Sequence, residues 1–219
     1  MDPDLCDAYV LKARRIYGNL FASVHQHQRT ENEVLFHDLS FKAYSIDPNN
    51  PEAVAMYSRS FNLKKDYPQR LKYARQALDL NPSHDGSNND YGWALCNEKR
   101  FEEAEYYFQS FIKKAEANND DIPEGILTST ASLMIESMFK QGKYDEIIEM
   151  SSNIDTYLKN RKKFSEVIGI THLYIGISLL NTGNVEDGIY YLISSKRKIE
   201  NEGQIAVSYT HLTLPTSQY

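Results

Sequence analysis

Two stretches of this chain repeat each other at one fixed interval, and that interval limits the folds open to it. PEAVAMYSRSFNLKKDYPQRLKYARQALDLNP begins at Pro51, and DGSNNDYGWALCNEKRFEEAEYYFQSFIKKAE begins at Asp85. Tyr57-Ser58 aligns with Tyr91-Gly92, Phe61 with Leu95, Asp66-Tyr67 with Arg100-Phe101, Ala74 with Phe108 and Ala77 with Phe111. Each offset is 34 residues, and Asp47-Pro48 precedes Asn81-Pro82 by the same interval. Val54, Tyr57, Ser58 and Phe61 fall at i, i+3, i+4 and i+7, which is one face of a helix. Leu71, Ala74, Ala77 and Leu78 form the inward face of a second helix. A unit of two short helices cannot hide its apolar faces alone, so it must stack on its neighbours.

Local signals mark the helix ends. Asn49 or Asn50 can cap the helix that Pro51 opens, and Asp66 caps the next. Alanines at 74 and 77 let two helices approach closely. Arg70 holds the twentieth place of its unit, normally small, so its stem is expected along apolar surface with the guanidinium in water. Gly92 inside a helix costs about 1 kcal/mol against alanine, which points to a neighbouring helix pressing there. The second helix of that unit is expected to extend through Lys113-Lys114-Ala115 towards Asn118.

The flanks follow the pattern less closely. A first helix is expected from about Leu5 to Phe21, with Tyr9, Ala13 and Ile16 inward and Lys12 where a large apolar residue is usual. Ala22 to Arg29 reads as a polar loop, and Thr30 with Glu33 forms a capping-box signature for a helix starting just after it. Phe36 and Ala43 are its inward residues, and the unit is about 11 residues longer than the standard repeat. Asn118 to Asp121 break the pattern, and Pro123 restarts it with Asp121 or Ile122 at the cap. Ala131, Met134, Ile135 and Met138, then Ile147 and Ser151, are the inward faces of the next two helices. His172, Ile175, Gly176 and Leu179, then Gly188, Leu192 and Ser195, continue the series. Gly142 and Gly183 stand where a left-handed residue closes a helix. The units read as 3–48, 51–84, 85–118, 123–160 and 162–200 within a domain spanning 1–206.

The sequence offers no reaction chemistry. No G-x-S-x-G, phosphate-binding loop, H-E-x-x-H or paired-cysteine motif occurs. Glu102, Glu103, Glu105, Asp145, Glu146 and Glu149 read as solvated helix faces. His25, His27 and His37 lack regular metal-ligand spacing and read as solvated loop histidines, and His172 reads as a packed helix residue. Cys6 and Cys96 read as buried thiols, which suits a reducing cytoplasm. A net charge of −6 argues against nucleic acid as the partner. No apolar run is long enough to span a membrane, and no secretory leader is visible. No cofactor, metal site or catalytic residue is expected, and the oligomeric state is not legible.

The 34-residue period, its fixed small and large apolar places and its closing proline resemble the tetratricopeptide repeat (TPR). The resemblance spans roughly residues 3 to 200 and is most specific at 51 to 116. It implies an all-α, right-handed superhelical solenoid of about five antiparallel helix pairs. It also implies that first helices line a concave groove holding a segment of another protein. The second, fifth, ninth and twelfth places of each first helix would line it, which nominates Arg59, Asn62, Asn89, Trp93, Glu136 and Phe139. The fifth places read Ala55, Asn89 and Ser132, which does not match the lysine-asparagine clamp of chaperone-binding relatives. The reading is thus a non-catalytic protein-binding scaffold. The alternative is a regulatory module of a larger bacterial transcriptional regulator or nucleotide cyclase. Residues 207–219, with Thr-His-Leu-Thr-Leu-Pro-Thr, resemble a translated sequencing adaptor and read as a non-native tail without fixed structure, the natural gene continuing beyond about Ala206.

Overall fold

The computed structural model describes residues 3–22, 26–82, 85–118, 124–158 and 165–200. They are all-α: α1 (Pro3–Ala22), α2 (Gln26–Ile46), α3 (Pro51–Leu63), α4 (Tyr67–Leu80), α5 (Asp85–Asn97), α6 (Phe101–Asn118), α7 (Glu124–Lys140), α8 (Tyr144–Leu158), α9 (Ser165–Asn181) and α10 (Val185–Glu200). Each odd-numbered helix packs on the even helix after it, and that even helix packs on the next odd one. Odd helices also touch one another in sequence: α1 on α3, α3 on α5, α5 on α7 and α7 on α9. This is the contact pattern of a superhelix of stacked helix pairs, in which each pair meets only its neighbours. The odd helices form the inner row, and α3 buries residues nearly all round, from Ala53 to Phe61. Its partner α4 buries a single stripe: Arg70, Ala74, Ala77 and Leu78.

Four turns within the pairs share one construction. Lys65, Lys99, Gly142 and Gly183 all take positive φ, at 56°, 59°, 74° and 86°. At each, the left-handed residue donates its N–H three residues back: Lys65 to Asn62, Lys99 to Cys96, Gly142 to Phe139, Gly183 to Leu180. The residue after it donates five back: Asp66 to Phe61, Arg100 to Leu95, Lys143 to Met138, Asn184 to Leu179. These paired bonds close each first helix and reverse the chain. Asn50 is the residue that caps α3, its Oδ1 accepting from the amides of Glu52 and Ala53. Asp66 caps α4 by accepting from the amide of Gln69.

Several sequence readings are corrected. The second helix starts at Gln26, not after Thr30, so Thr30 is an interior helix residue and Glu33 pairs instead with Arg29 at 3.3 Å. The extra residues of the first unit lengthen α1 and α2 to 20 and 21 residues, so that 26–29 of the expected loop are helical. Glu105 is not solvated: it is 6% exposed and its Oε2 accepts from Lys143 Nζ at 2.8 Å and Gln141 Nε2 at 2.9 Å, tying α6 to the α7–α8 turn. The corrections at Arg70 and His37 belong to the site below. The cap at Asp121, Ile122 and Pro123, His25, and the tail 207–219 lie outside the described residues.

The seams follow from residue size. A Cβ on Gly92 would stand 2.7 Å from the Phe108 ring, so the glycine makes room for an aromatic that is fully buried. In α9–α10 the approach is between backbones. A Cβ on Gly176 would meet the Gly188 carbonyl oxygen at 3.1 Å, and one on Gly188 would meet that of Gly176 at 3.1 Å. At that crossing only the two backbones and Leu192 and Leu180 fit.

Candidate functional site

The first helices of the second and third pairs carry a cluster of polar and aromatic side chains. Arg59 of α3 reaches α5, where its Nε lies 3.0 Å from both oxygens of Asp90 and its Nη2 2.6 Å from Oδ2. Burial works against the Arg59 charge, but Asp90 beside it outweighs that and holds its pKa above the ordinary guanidinium value. The Arg59 guanidinium also lies 5.6 Å from the centre of the Tyr17 ring on α1. Burial pushes the Tyr17 phenol above its usual range.

Arg70 enters the same cluster from α4. It is 2% exposed, so its head is not in water as the sequence suggested. The twentieth place faces the seam between paired helices. A small residue would stop there, whereas arginine is long enough to cross it. Ser58 fixes the backbone at that point by donating its hydroxyl to the Arg70 carbonyl at 2.8 Å. The guanidinium then lies 4.9 Å from the Trp93 ring centre, a cation–π distance. Its Nη1 donates to Asn62 Oδ1 at 2.5 Å, and Asn97 Nδ2 donates to the same oxygen at 3.2 Å. Burial lowers the Arg70 pKa; nearby Tyr17 and Asp90 offset part of that, and the like charge of Arg59 adds a smaller push down.

These contacts bring three nominated groove residues, Arg59, Asn62 and Trp93, into one cluster, with Asn89 bonded separately. Arg59 and Asn62 on α3 meet α5 through Asp90 and Asn97, Trp93 on α5 faces Arg70, and Asn89 accepts a hydrogen bond from Thr130 of α7 at 2.8 Å. Glu136 and Phe139 stand apart on α7. Phe139 is half-buried against the rings of Tyr144 and Tyr174, 5.5 and 5.0 Å away. Glu136 is half-buried, and its charge is felt at Cys96. Burial, with that smaller contribution, pushes the Cys96 thiol up to about 11. Cys96 is therefore protonated at neutral pH, 3.1 Å from the Ser137 hydroxyl.

Asp90, Tyr17 and Asn97 were not nominated from sequence. Asp90 left a faint signal, an acidic residue on a helix whose neighbours Tyr91 and Ala94 are apolar. The pairing with Arg59 spans 31 residues and becomes visible only once the helices are stacked. His37, read as a solvated loop residue, is instead half-buried in α2, 2.8 Å from the Ser60 hydroxyl and between the rings of Tyr57 and Phe61. His172 is a packed helix residue, 2.9 Å from Ser194 and edge-on to Tyr191. Among the described residues, no group of three His, Cys, Asp or Glu is close enough to hold a metal ion.

Solved TPR-like proteins share this architecture. The structure is similar to MamA 41-end from Desulfovibrio magneticus RS-1 at 14% identity and TM-score 0.65, covering 91% of this chain and 97% of that one. PilF of Pseudomonas aeruginosa matches at 17% identity and TM-score 0.65, over 90% of this chain and 77% of that one. A putative kinesin light chain from Podosopora anserina with nearly identical TPR-like repeats matches at 9% identity and TM-score 0.67, over 94% of this chain and all of that one. At these identities the likeness concerns the fold alone. No family model matches the sequence, and no curated protein does. No described helix is long and apolar enough to cross a membrane.

Proposed function

We propose that this chain is a non-catalytic scaffold that holds a segment of another protein along its first helices, with the α3–α5 cluster as the main contact. The observation that carries the reading is the convergence of Arg59, Asn62, Trp93 and Arg70 at adjoining first helices. Half-buried arginine and tryptophan with polar neighbours are the side chains that most often anchor a partner. Asn62 and Asn89 support it further: both are half-buried, and with their amide oxygens used inside the fold their NH2 groups remain as donors. An extended segment presents backbone carbonyls as matching acceptors. The chemistry present argues for binding over turnover, since the buried thiol is held protonated and the buried carboxylates Asp90 and Glu105 are tied up in ion pairs. The reading places the chain in the cytoplasm, a compartment that keeps Cys6 and Cys96 as free thiols.

The test is affinity capture from a lysate of the source organism with wild type, Trp93→Ala plus Arg59→Ala, and Glu102→Ala on an exposed face of α6. Specific proteins recovered by wild type and Glu102→Ala, and reduced at least tenfold by the double variant, are expected. Equal recovery of every protein by all three would overturn the groove assignment.

A further inference from the structure

We infer that Arg70 is held ready for a carboxylate of the bound segment, supplied by an aspartate or glutamate side chain within that segment; this rests on the groove-binding reading above. The cluster contains two guanidinium groups and one carboxylate, and both oxygens of Asp90 are engaged by Arg59. Glu52, the other carboxylate felt by Arg59, is taken by Arg14. Among the described residues no carboxylate lies within ion-pair distance of Arg70, whose side chain makes one hydrogen bond, to the neutral amide of Asn62. A guanidinium has five N–H donors in a planar fork, and a buried charge is stable only when paired. At 2% exposure, water does not substitute for the missing partner.

The vacancy has a defined chemistry. Arg59, Arg70 and Asp90 together carry one excess positive charge, which a single carboxylate matches. A phosphate dianion would overshoot and would face Asp90. Carboxylate also fits the guanidinium fork with two parallel hydrogen bonds. The NH2 of Asn62, whose oxygen is already fixed by Arg70 and Asn97, adds a donor at the same edge. Trp93, half-buried, covers one face of Arg70 and leaves the in-plane N–H edge to an incoming carboxylate, which would then lie beside the indole. The site is internal to the stack, with α1 on one side and α7 and α9 on the other. A segment crossing it therefore continues both ways, which favours a side chain over a chain terminus as the source.

The test uses the full chain to select from random dodecapeptides displayed as internal loops, with a second library displayed at free C-termini. A variant that supplies the carboxylate internally, Asn62→Asp, serves as the comparison, because its oxygen already stands at hydrogen-bonding distance from Arg70. Wild type is expected to enrich aspartate or glutamate at one loop position at least tenfold over asparagine or glutamine. Asn62→Asp is expected to lose that preference while melting no lower than wild type. The enriched peptide should change the fluorescence of Trp93, the only tryptophan, and its Glu→Gln version should bind at least tenfold more weakly. Equal enrichment by Asn62→Asp, or acidic preference confined to the free-terminus library, overturns the inference. Peptides that lack an acid but lose binding to Trp93→Ala would overturn it while leaving groove binding standing. Failure of both libraries to enrich anything would overturn both.

Discussion

In α5–α6 one glycine is set against a phenylalanine ring, and in α9–α10 two glycine backbones are set against each other. The first seam is filled by side-chain volume: Phe108, Leu95, Ala104 and Ala94 are fully buried there. The second is filled by bringing the helices together until carbonyl oxygens take up the space. Both satisfy the same requirement, that a helix pair leave no void along its shared face. The consequences differ. In the neighbouring α3–α4 pair, where alanines and not glycines face the seam, Arg70 crosses and carries its guanidinium to the inner row. Across the glycine seam the polar contact is the short one from His172 to Ser194, and the half-buried to exposed residues Leu173, Ile177 and Leu180 on α9 are apolar. The polar cluster is thus local to the middle of the array.

The largest effect expected is loss of volume from the first seam. Phe108→Ala should cost about 3–5 kcal/mol of unfolding free energy, as deletion of a fully buried aromatic does, read from urea midpoints at unchanged slope. The second seam should fail by the opposite change. Gly188→Val puts atoms where the Gly176 carbonyl and Leu180 already stand and should cost about 1–3 kcal/mol or more, whereas Gly18→Ala, with nothing within 4 Å, should not be destabilising. If Gly188→Val were neutral, the backbone contact would not be what holds α9 to α10.

A smaller effect separates the turns. The early two place lysine in the left-handed region and the late two place glycine there. Gly183→Ala should lose about 1 kcal/mol, and Lys99→Gly should gain about 0.5 kcal/mol, the relief of strain being offset by added freedom in the unfolded chain. Thermal melts of both variants would check the opposed signs. The smallest effect is acid sensitivity at the α2–α3 contact. Burial, helped by Lys64, lowers the His37 pKa in the folded protein. The unfolded chain therefore binds the proton more readily, and stability should fall as pH drops through about 6.5. It should level off below the folded pKa, and His37→Asn should show a smaller loss between pH 7.5 and 5.5.

These contrasts show what a sequence of this kind discloses. The pair turns at Gly142 and Gly183, the caps at Asn50 and Asp66, and the inward faces from Val54 to Ser195 were legible because each is set by neighbours within about one helical turn or one repeat. Lys65 and Lys99 were not, since lysine carries no preference for positive φ and only the surrounding bonds force it there. The start of α2 was misread because Thr30 and Glu33 satisfy a local pattern that packing of a longer helix overrides. Arg70 and Glu105 were misread for one reason: each was judged by its own polarity, whereas its partners come from other helices. Arg70 meets Asn62 and Trp93, and Glu105 meets Lys143, 38 residues on.

Stacking of pairs, each supported only by its neighbours, is the premise beneath all of this, and residue-resolved hydrogen exchange on Gly188→Val tests it most directly. The account predicts that amides of α9 and α10 lose protection while those of α3 to α6 keep theirs, because destabilisation at one pair frays it without undoing distant ones. An equal loss of protection in every helix would mean a single cooperative core and would contradict it.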